Sequence, residues 1–285
     1  MAEVEHTLVQ HGRFSSWLNR AGRGHSDTVL FLHGSGPGAS AWSNWMYALP
    51  AFGQRYDTLA PDWIGFGKST HPDPPPEGLS AWLRVWLDQI VDLLDALGIR
   101  KTHVVGNSLG GALALHAVAE YPERFGKVVL MGPAAMPMTL TPELDKIWGF
   151  YDDPSVTRMA RMIRWFAFDE SVVGDRLDEI ARMRFEAAMQ PDVRRSYTSM
   201  FPPPRQRHMD ALVVPPGDVQ RMRNPVLLVY GRDDLIIPIE TGMRLLQSLG
   251  GNAQLHVYGR CRHWVQIEHR ESFHQLLMSF LDMEE

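Results

Sequence analysis

Short runs of apolar residues, often followed by glycine, alternate along the chain with longer segments of helical period. This alternation is typical of a mostly parallel β-sheet whose strands are joined by crossover helices on both faces. Six runs predict strands, at residues 28–32, 56–60, 102–105, 127–131, 226–230 and 254–258. Several of them are nearly continuous in Val, Leu and Ile, as expected for strands that are covered on both faces. The pattern therefore predicts an α/β fold.

The clearest helical segment spans residues 80–97, after the second predicted strand. Its apolar residues recur on one face, Ser80 suits the N-cap position, and Gly98 is placed to end the helix. Trp82 and Trp86 lie on this segment, and we expect them to pack in the core rather than bind a ligand.

The composition changes between residues 136 and 209, where Met, Arg and aromatic residues are frequent and no strand is predicted. The stretch begins at a turn containing Pro137, and residues 201–204, Phe-Pro-Pro-Pro, lie near its end. We interpret it as a helical lid inserted into one α/β domain, whose two parts are residues 1–135 and 210–285. Its Met residues are interpreted as core filler rather than as part of a cofactor site.

Size and charge narrow the class of protein. The 285 residues suffice for a substantial core, and a net charge of -5 provides no basic surface for nucleic acid or an anionic membrane. Residues 1–14 lack the apolar run of a signal peptide, and no segment approaches the roughly 20 apolar residues of a membrane span. The single cysteine, Cys261, excludes an internal disulfide and a multi-cysteine metal site. We expect a cytoplasmic protein with no nucleic-acid or membrane partner.

The strongest chemical signal is Gly-Asn-Ser-Leu-Gly at residues 106–110, followed by a further glycine. It matches G-x-S-x-G, follows a valine-rich predicted strand and precedes a helical run, residues 112–119. This strand–turn–helix context predicts a nucleophile elbow, in which a strained turn exposes the Ser108 hydroxyl at a helix N-terminus. The pattern alone also arises by chance in glycine-bearing loops, and the context is what favours the catalytic interpretation.

A serine hydroxyl needs a base to take its proton and a carboxylate to orient that base. In elbow-type folds the order along the chain is serine, acid, histidine. Asp233 and Asp234 follow one predicted strand, and His263 follows the next, so these groups lie at the same rim of the sheet as Ser108. The residues alone leave Asp233 and Asp234 both open as the acid. Asp62 precedes the serine, and we interpret it as structural.

Two backbone N–H groups are needed to stabilise charge on the attacked carbonyl oxygen. We predict that Leu109, after the nucleophile, supplies one and Ser35 the other. Ser35 lies in the loop His-Gly-Ser-Gly-Pro-Gly at residues 33–38. A phosphate-binding loop is disfavoured because the segment lacks a G-K-[ST] ending and does not match G-x-G-x-x-G.

Several further segments resemble one branch of the α/β-hydrolases. After the 33–38 loop comes Ala-Trp-Ser-Asn-Trp at 41–45, and the motifs GNSLGG, MGP at 131–133, CRHW at 261–264 and QIEH at 266–269 follow. Together they resemble the meta-cleavage product hydrolases, which hydrolyse a carbon–carbon bond in ring-opened aromatic compounds. Segments 184–187 and 200–207 of the predicted lid look especially like the hydrolases of 2-hydroxymuconic semialdehyde and its alkyl analogues. The resemblance extends over residues 33–280.

The resemblance implies roles for individual residues. It places the acid at Asp234, completing a Ser108–Asp234–His263 triad. It also implies polar substrate contacts at Asn44, Asn107, Arg184 and Trp264. We expect Gly34 and Gly36 to line the same substrate site. The resemblance implies no metal or organic cofactor. It does imply a homodimer or a higher homo-oligomer. The sequence departs from the family at Arg262, where members often have glycine, and at Leu109, where many have methionine or phenylalanine.

The implied substrate is an anionic 2-hydroxy-6-oxo-hexa-2,4-dienoate, for which Arg184 would bind the carboxylate. The alternative is that Arg184 forms a surface ion pair with Glu186 or Asp178. Pocket walls are predicted by position at Ala134, Phe150, Phe166 and Ile237. One small wall among bulky ones favours hydrogen or a short alkyl group over phenyl at C6.

Three other functions compete with this interpretation. A carboxylesterase or lactonase would use the same triad, and an inactive ligand receptor would not need the triad that this sequence retains. A haloalkane dehalogenase is disfavoured because it requires aspartate at position 108, where this chain has serine.

Overall fold

The computed structural model describes residues 1–172 and 174–283. These residues form an eight-stranded sheet in the order β1-β2-β4-β3-β5-β6-β7-β8. The strands are β1 (Val4–His11), β2 (Phe14–Ala21), β3 (Thr28–Leu32), β4 (Asp57–Pro61), β5 (Thr102–Asn107), β6 (Phe125–Met131), β7 (Val226–Gly231) and β8 (Ala253–Tyr258). Strands β3 to β8 pair in parallel, whereas β1 and β2 pair antiparallel with each other and β2 with β4.

Helices cover both faces of the sheet. They are α1 (Ala41–Trp45), α2 (Ala48–Phe52), α3 (Leu79–Ala96), α4 (Leu109–Glu120), α5 (Pro142–Trp148), α6 (Val156–Phe166), α7 (Leu177–Ala188), α8 (Pro191–Met200), α9 (Gln206–Ala211), α10 (Pro216–Arg221), α11 (Ile239–Ser248), α12 (Val265–Glu268) and α13 (Arg270–Asp282). Short 3₁₀ helices lie at Pro122–Arg124, Phe150–Asp152, Glu170–Val172 and Gly174–Arg176. The predicted α/β fold and all six predicted strands are confirmed.

The core strands follow the pattern expected from their composition. β3, β4, β6 and β7 are buried at every position because helices pack on both of their faces. The sequence pattern did not predict the hairpin of β1 and β2. β1 is mostly exposed and polar, so it has no apolar run to mark it as a strand.

Helix α3 begins one residue before the predicted start. Its N-cap is Gly78, and the Leu79 N–H donates to Nδ1 of His208 at 3.3 Å, so the prediction of Ser80 as N-cap was wrong. The distant histidine supplies the acceptor that a serine cap would have provided. Trp82 and Trp86 are fully buried and stack with ring centroids 5.6 Å apart, which confirms their packing role.

Residues 136–209, here called the helical insertion, lie between β6 and β7 and carry helices α5 to α8 and the start of α9. The described residues of the insertion contain no strand, in agreement with the sequence pattern. Helix α9 continues to Ala211, so the boundary predicted at residue 209 falls inside a helix.

Asp62 has the structural surroundings expected from its position before the serine. Its Oδ1 accepts the Ala41 N–H at 2.7 Å, and its Oδ2 accepts the Lys68 N–H at 3.0 Å. Within residues 1–172 and 174–283, no helix is long and apolar enough to cross a membrane.

Candidate active site

Ser108 lies at the sharp turn between β5 and α4, with φ 58° and ψ -117°. A non-glycine residue with positive φ is uncommon, and such strain is held in place by the surrounding structure. Here the Ser108 N–H donates to the Met131 carbonyl of the neighbouring strand at 2.8 Å. The turn places the side chain at the N-terminus of a 12-residue helix, where negative charge is favoured.

Asp234 and His263 follow β7 and β8 and are in contact. His263 Nδ1 lies 2.7 Å from Asp234 Oδ2, and both side chains are almost completely buried. The other carboxylate oxygen accepts the Ile236 and Ile237 N–H groups at 2.8 and 3.1 Å. Asp233, the alternative acid, is paired with Arg232 at 3.3 Å instead.

The second nitrogen of His263 is the one available to a substrate or nucleophile. Nδ1 faces the carboxylate and so carries the hydrogen, which leaves Nε2 as the acceptor. Nε2 is buried and has no hydrogen-bond partner among the described residues, Ser108 included. Ser108 and His263 nevertheless line the same cavity. Hydrogen bonds of this kind are often long in ligand-free sites and shorten on binding.

Gly132 lets the histidine and aspartate approach the end of β6. Its φ is +46°, and a Cβ atom at this position would lie 3.1 Å from His263 Cε1 and 3.2 Å from Asp234 Oδ2. Any larger side chain would therefore displace one of these two groups. This contact explains the glycine of the Met-Gly-Pro segment at 131–133.

The loop with Ser35 is hydrogen-bonded both to the sheet domain and to the helical insertion. His33 Nδ1 lies 2.8 Å from the Gly34 carbonyl, and its Nε2 accepts the Trp63 N–H at 3.1 Å. Burial lowers the pKa of His33 to about 3, so this imidazole is neutral near pH 7. Trp148 of the helical insertion donates to Ser35 Oγ at 3.1 Å.

The two predicted oxyanion donors are both unpaired N–H groups. Leu109 is the first residue of α4, where an N–H has no intrahelical acceptor. Neither it nor the Ser35 N–H has a hydrogen-bond acceptor within the described part of the chain. These two N–H groups can therefore stabilise negative charge on the oxygen of a carbonyl group attacked by Ser108.

A cavity of about 500 Å³ connects these groups. It is lined by the predicted residues Gly34, Ser35, Gly36, Asn44, Asn107, Ser108, Phe166, Arg184, His263 and Trp264. Apolar side chains of α5, α7 and the loop after β7 complete its walls, among them Leu144, Ile147, Ile180 and Ile236. Asn44 Oδ1 accepts the Gly34 N–H at 3.0 Å, and no described residue accepts from the Asn44 NH₂ group, so that group can donate to a ligand.

Arg184 brings a cation from α7 into this cavity. Its Cζ lies 5.9 and 5.7 Å from the ring centroids of Phe166 and Trp264, and its Nε donates to the Pro37 carbonyl at 3.0 Å. Burial lowers the pKa of Arg184 to about 10, so it stays charged at neutral pH. No ion pair joins it to a carboxylate of the described residues. A Cβ atom on Gly36 would lie only 2.3 Å from Arg184 Nη2, so a larger residue there would displace the guanidinium from its present position.

Three predicted pocket walls lie outside the lining of the cavity. Ala134, Phe150 and Ile237 are buried in the hydrophobic core instead. Phe150 packs edge-on against Tyr151, and Ile236 rather than its neighbour Ile237 faces the cavity. These residues lie in turns and short helices, where position in the sequence does not determine which side chain faces the ligand.

Gln266 also lines the cavity, although its position in the sequence predicts no role for it. It is 2% exposed, and neither its side-chain oxygen nor its nitrogen has a partner among the described residues. Leaving buried polar atoms unpaired costs about 1–3 kcal/mol each, so this side chain is suited to a polar ligand group. The only sequence signal was its place in the motif QIEH.

The fold and the site define a serine hydrolase of the α/β type, and the family described as alpha/beta hydrolase fold matches residues 27–270. The 2-hydroxy-6-oxo-2,4-heptadienoate hydrolase of Pseudomonas putida F1 is 39% identical over 98% of this chain and 96% of its own length. A serine hydrolase from the polyaromatic hydrocarbon-degrading bacterium Cycloclasticus zankles is 42% identical, with a TM-score of 0.96 over 98% of both chains. The meta-cleavage product hydrolase of Pseudomonas fluorescens IP01 is 38% identical, with a TM-score of 0.90 over 97% of both chains. The chain therefore belongs to the α/β-hydrolase family and, within it, to the meta-cleavage product hydrolases.

Proposed function

We propose that this enzyme hydrolyses a carbon–carbon bond of 2-hydroxy-6-oxo-hexa-2,4-dienoates, releasing 2-hydroxypenta-2,4-dienoate and a carboxylic acid. The observation that carries the proposal is Arg184, a charged group without a carboxylate partner in the described chain, in the cavity that also holds Ser108. A simple esterase acting on neutral esters has no need of a buried cation, whereas a dienoate carries the matching charge. The names of the relatives point the same way.

The cavity suggests how the substrate lies. Arg184 and the free NH₂ group of Asn44 bind the carboxylate end, and Asn107 and Trp264 contact the enol. The C6 carbonyl then lies at Ser108, with its oxygen toward the N–H groups of Leu109 and Ser35. The C6 substituent faces apolar side chains such as Leu144, Ile147 and Ile236.

The first chemical step converts the enol to its keto form. His263 moves this proton through Nε2, the nitrogen that the contact with Asp234 leaves available. The keto form provides an electron sink next to the bond that will break. Without it, the C5 fragment would have to leave as an unstabilised carbanion.

Cleavage follows by nucleophilic catalysis. Ser108 Oγ bonds to C6 while His263 takes its proton, and the Leu109 and Ser35 N–H groups stabilise the oxyanion. The C5–C6 bond then breaks, its electron pair passes into the dienoate fragment, and that fragment takes up the proton from His263. Water hydrolyses the acyl group on Ser108, releasing the carboxylic acid and the free enzyme. Direct attack of water on C6 is the alternative to the acyl-enzyme.

We also propose that the helical insertion is a lid over this site, since it contributes Arg184, Phe166 and Trp148 to the cavity or its loop. A cytoplasmic location and a homo-oligomeric state are part of the same proposal. The buried thiol of Cys261 is compatible with a reducing compartment. Cell fractionation and light scattering of the purified protein test these two points.

The function is tested by following the loss of dienolate absorbance with 6-hydrogen, 6-methyl and 6-phenyl substrates, beside a p-nitrophenyl ester. Rapid decay with a preference for hydrogen or methyl is the expected result. Activity on the ester with no decay of any dienoate would instead identify a carboxylesterase or lactonase.

A further inference from the structure

The loop with His263 is bonded to the helical insertion through two charged side chains that have no part in the proposed chemistry. Arg262 and Glu268, here called the insertion clamp, lie on either side of His263 and Trp264. Both contact the segment 164–169, which ends helix α6. Arg262 is also a position where the sequence departs from the family it resembles.

Glu268 joins the two segments with one carboxylate. Its Oε1 accepts the N–H of Arg262 at 2.8 Å, within the histidine loop. Its Oε2 accepts the N–H groups of Phe168 and Asp169 at 2.6 and 3.2 Å, within the insertion. Hydrogen bonds to an ionised acceptor are roughly twice as strong as neutral ones, so this bridge favours one relative position of the two segments.

Arg262 makes the complementary contact to carbonyl groups. Its Nη1 donates to the carbonyls of Arg164 and Ala167 at 2.7 and 3.1 Å, and its Cζ lies 5.8 Å from the Phe168 ring centroid. These carbonyls belong to the C-terminal end of α6, where a cation is favoured. The Trp264 N–H adds a further bond, to the Phe166 carbonyl at 3.0 Å.

Between these bonds lies the aromatic wall of the cavity. The ring of Phe166 stacks on Trp264 with centroids 4.8 Å apart and an interplanar angle of 8°. The same ring lies 5.8 Å from the His263 ring and 5.9 Å from the Arg184 guanidinium carbon. A shift of the 164–169 segment would therefore move the surface against which His263 and Arg184 both rest.

We propose that Arg262 and Glu268 are positioning residues that hold Phe166 and His263 in register when the insertion is closed over the substrate. They act through the main chain of the insertion and do not touch the reacting atoms. The proposal depends on the function proposed above only through the choice of substrate for the activity measurement. A displacement of about 1 Å in a catalytic group can cost as much as 100-fold in rate.

The test compares Glu268→Gln, Arg262→Ala and Arg262→Lys with Glu271→Gln, an exposed carboxylate three residues further along the chain. An amide retains the shape of Glu268 but carries no charge and has one acceptor oxygen instead of two, so it cannot hold both segments. Hydrogen exchange of residues 164–172 is measured together with kcat and KM for the preferred dienoate and for a p-nitrophenyl ester.

We expect faster exchange at 164–172 and a loss of about 10- to 100-fold in dienoate kcat/KM for Glu268→Gln and Arg262→Ala. Arg262→Lys should recover part of this loss, because it restores one cationic donor. Unchanged exchange in Glu268→Gln and Arg262→Ala would show that the insertion clamp does not hold the two segments together. Faster exchange with wild-type kcat/KM would show that the insertion clamp does not position the catalytic groups. If the wild type cleaves only the ester, the proposed function fails, and ester kcat/KM with the exchange rates still decides the role of the clamp.

Discussion

Gly132 offers the sharpest test of how closely the histidine and aspartate are packed, through the substitution Gly132→Ala. The added Cβ atom would lie 3.1 Å from His263 Cε1 and 3.2 Å from both His263 Nδ1 and Asp234 Oδ2. Carbon atoms normally approach to about 3.5–4.0 Å, so the imidazole has to move by roughly 0.4 Å or more. The bond between His263 and Asp234 limits the directions in which it can move.

Two separate costs follow from this substitution. An L-residue at a φ of +46° loses about 1–2 kcal/mol of folding free energy, equivalent to a fall in Tm of roughly 2–3 °C for a chain of this size. The displaced imidazole should lower kcat by about 10- to 100-fold, because catalytic geometry tolerates little movement.

Gly98→Ala separates the two costs. Gly98 has a φ of +69°, but no atom of the described residues lies within 4 Å of an added Cβ, and it lies at the end of α3, away from the cavity. We expect Gly132→Ala to lose at least as much Tm as Gly98→Ala in thermal unfolding, because displacing the imidazole adds to the backbone strain that both variants share, while only Gly132→Ala loses kcat on the preferred dienoate. Equal kcat values for the two variants would show that the histidine is not confined as the distances indicate.

Four further changes test the site. Ser108→Ala should lower kcat by about 10⁴-fold, and near wild-type hydrolysis by the purified variant would disprove its role as nucleophile. Arg184→Ala should raise dienoate KM much more than the KM of a p-nitrophenyl ester, whereas equal losses would indicate a folding defect. Gln266→Leu should raise Tm by removing two unpaired buried polar atoms and yet raise dienoate KM, and a fall in Tm would show that those atoms are satisfied. The pKa of His33 is near 3 in the folded protein and 6.5 in the unfolded chain. As the pH falls below 6.5, the imidazole of the unfolded chain takes up a proton and that of the folded protein does not, so the free energy of unfolding decreases. The wild type should lose about 2 kcal/mol more than His33→Gln between pH 7 and pH 5 in chemical denaturation, and identical losses would contradict the burial of a neutral imidazole.

The sequence was sufficient for the sheet and for the chemical groups because both have local signals. Buried parallel strands are short apolar runs, and the elbow around Ser108 is a short motif in a recognisable context. The choice between Asp233 and Asp234 had no such signal, since both follow the same strand and only the turn geometry brings one of them to His263. The family resemblance selected Asp234, and the contact with His263 agrees with that choice.

Neither the residues of the cavity walls nor the contacts between the helical insertion and the histidine loop could be predicted from the sequence. Both failures have the same physical reason. Ile236 and Ile237 lie in a turn held by Asp234, where neither the two-residue period of a strand nor the helical period determines which one faces the ligand. Arg262 and Glu268 bond to main-chain groups of the insertion, and every residue except proline carries both of those groups. When a side chain bonds to the main chain of another segment, the sequence of that segment needs no particular residue type, so the contact cannot be recognised from it. The contact between the helical insertion and the histidine loop is therefore best tested by substituting the insertion clamp, because hydrogen exchange and kinetics then report on the same bonds.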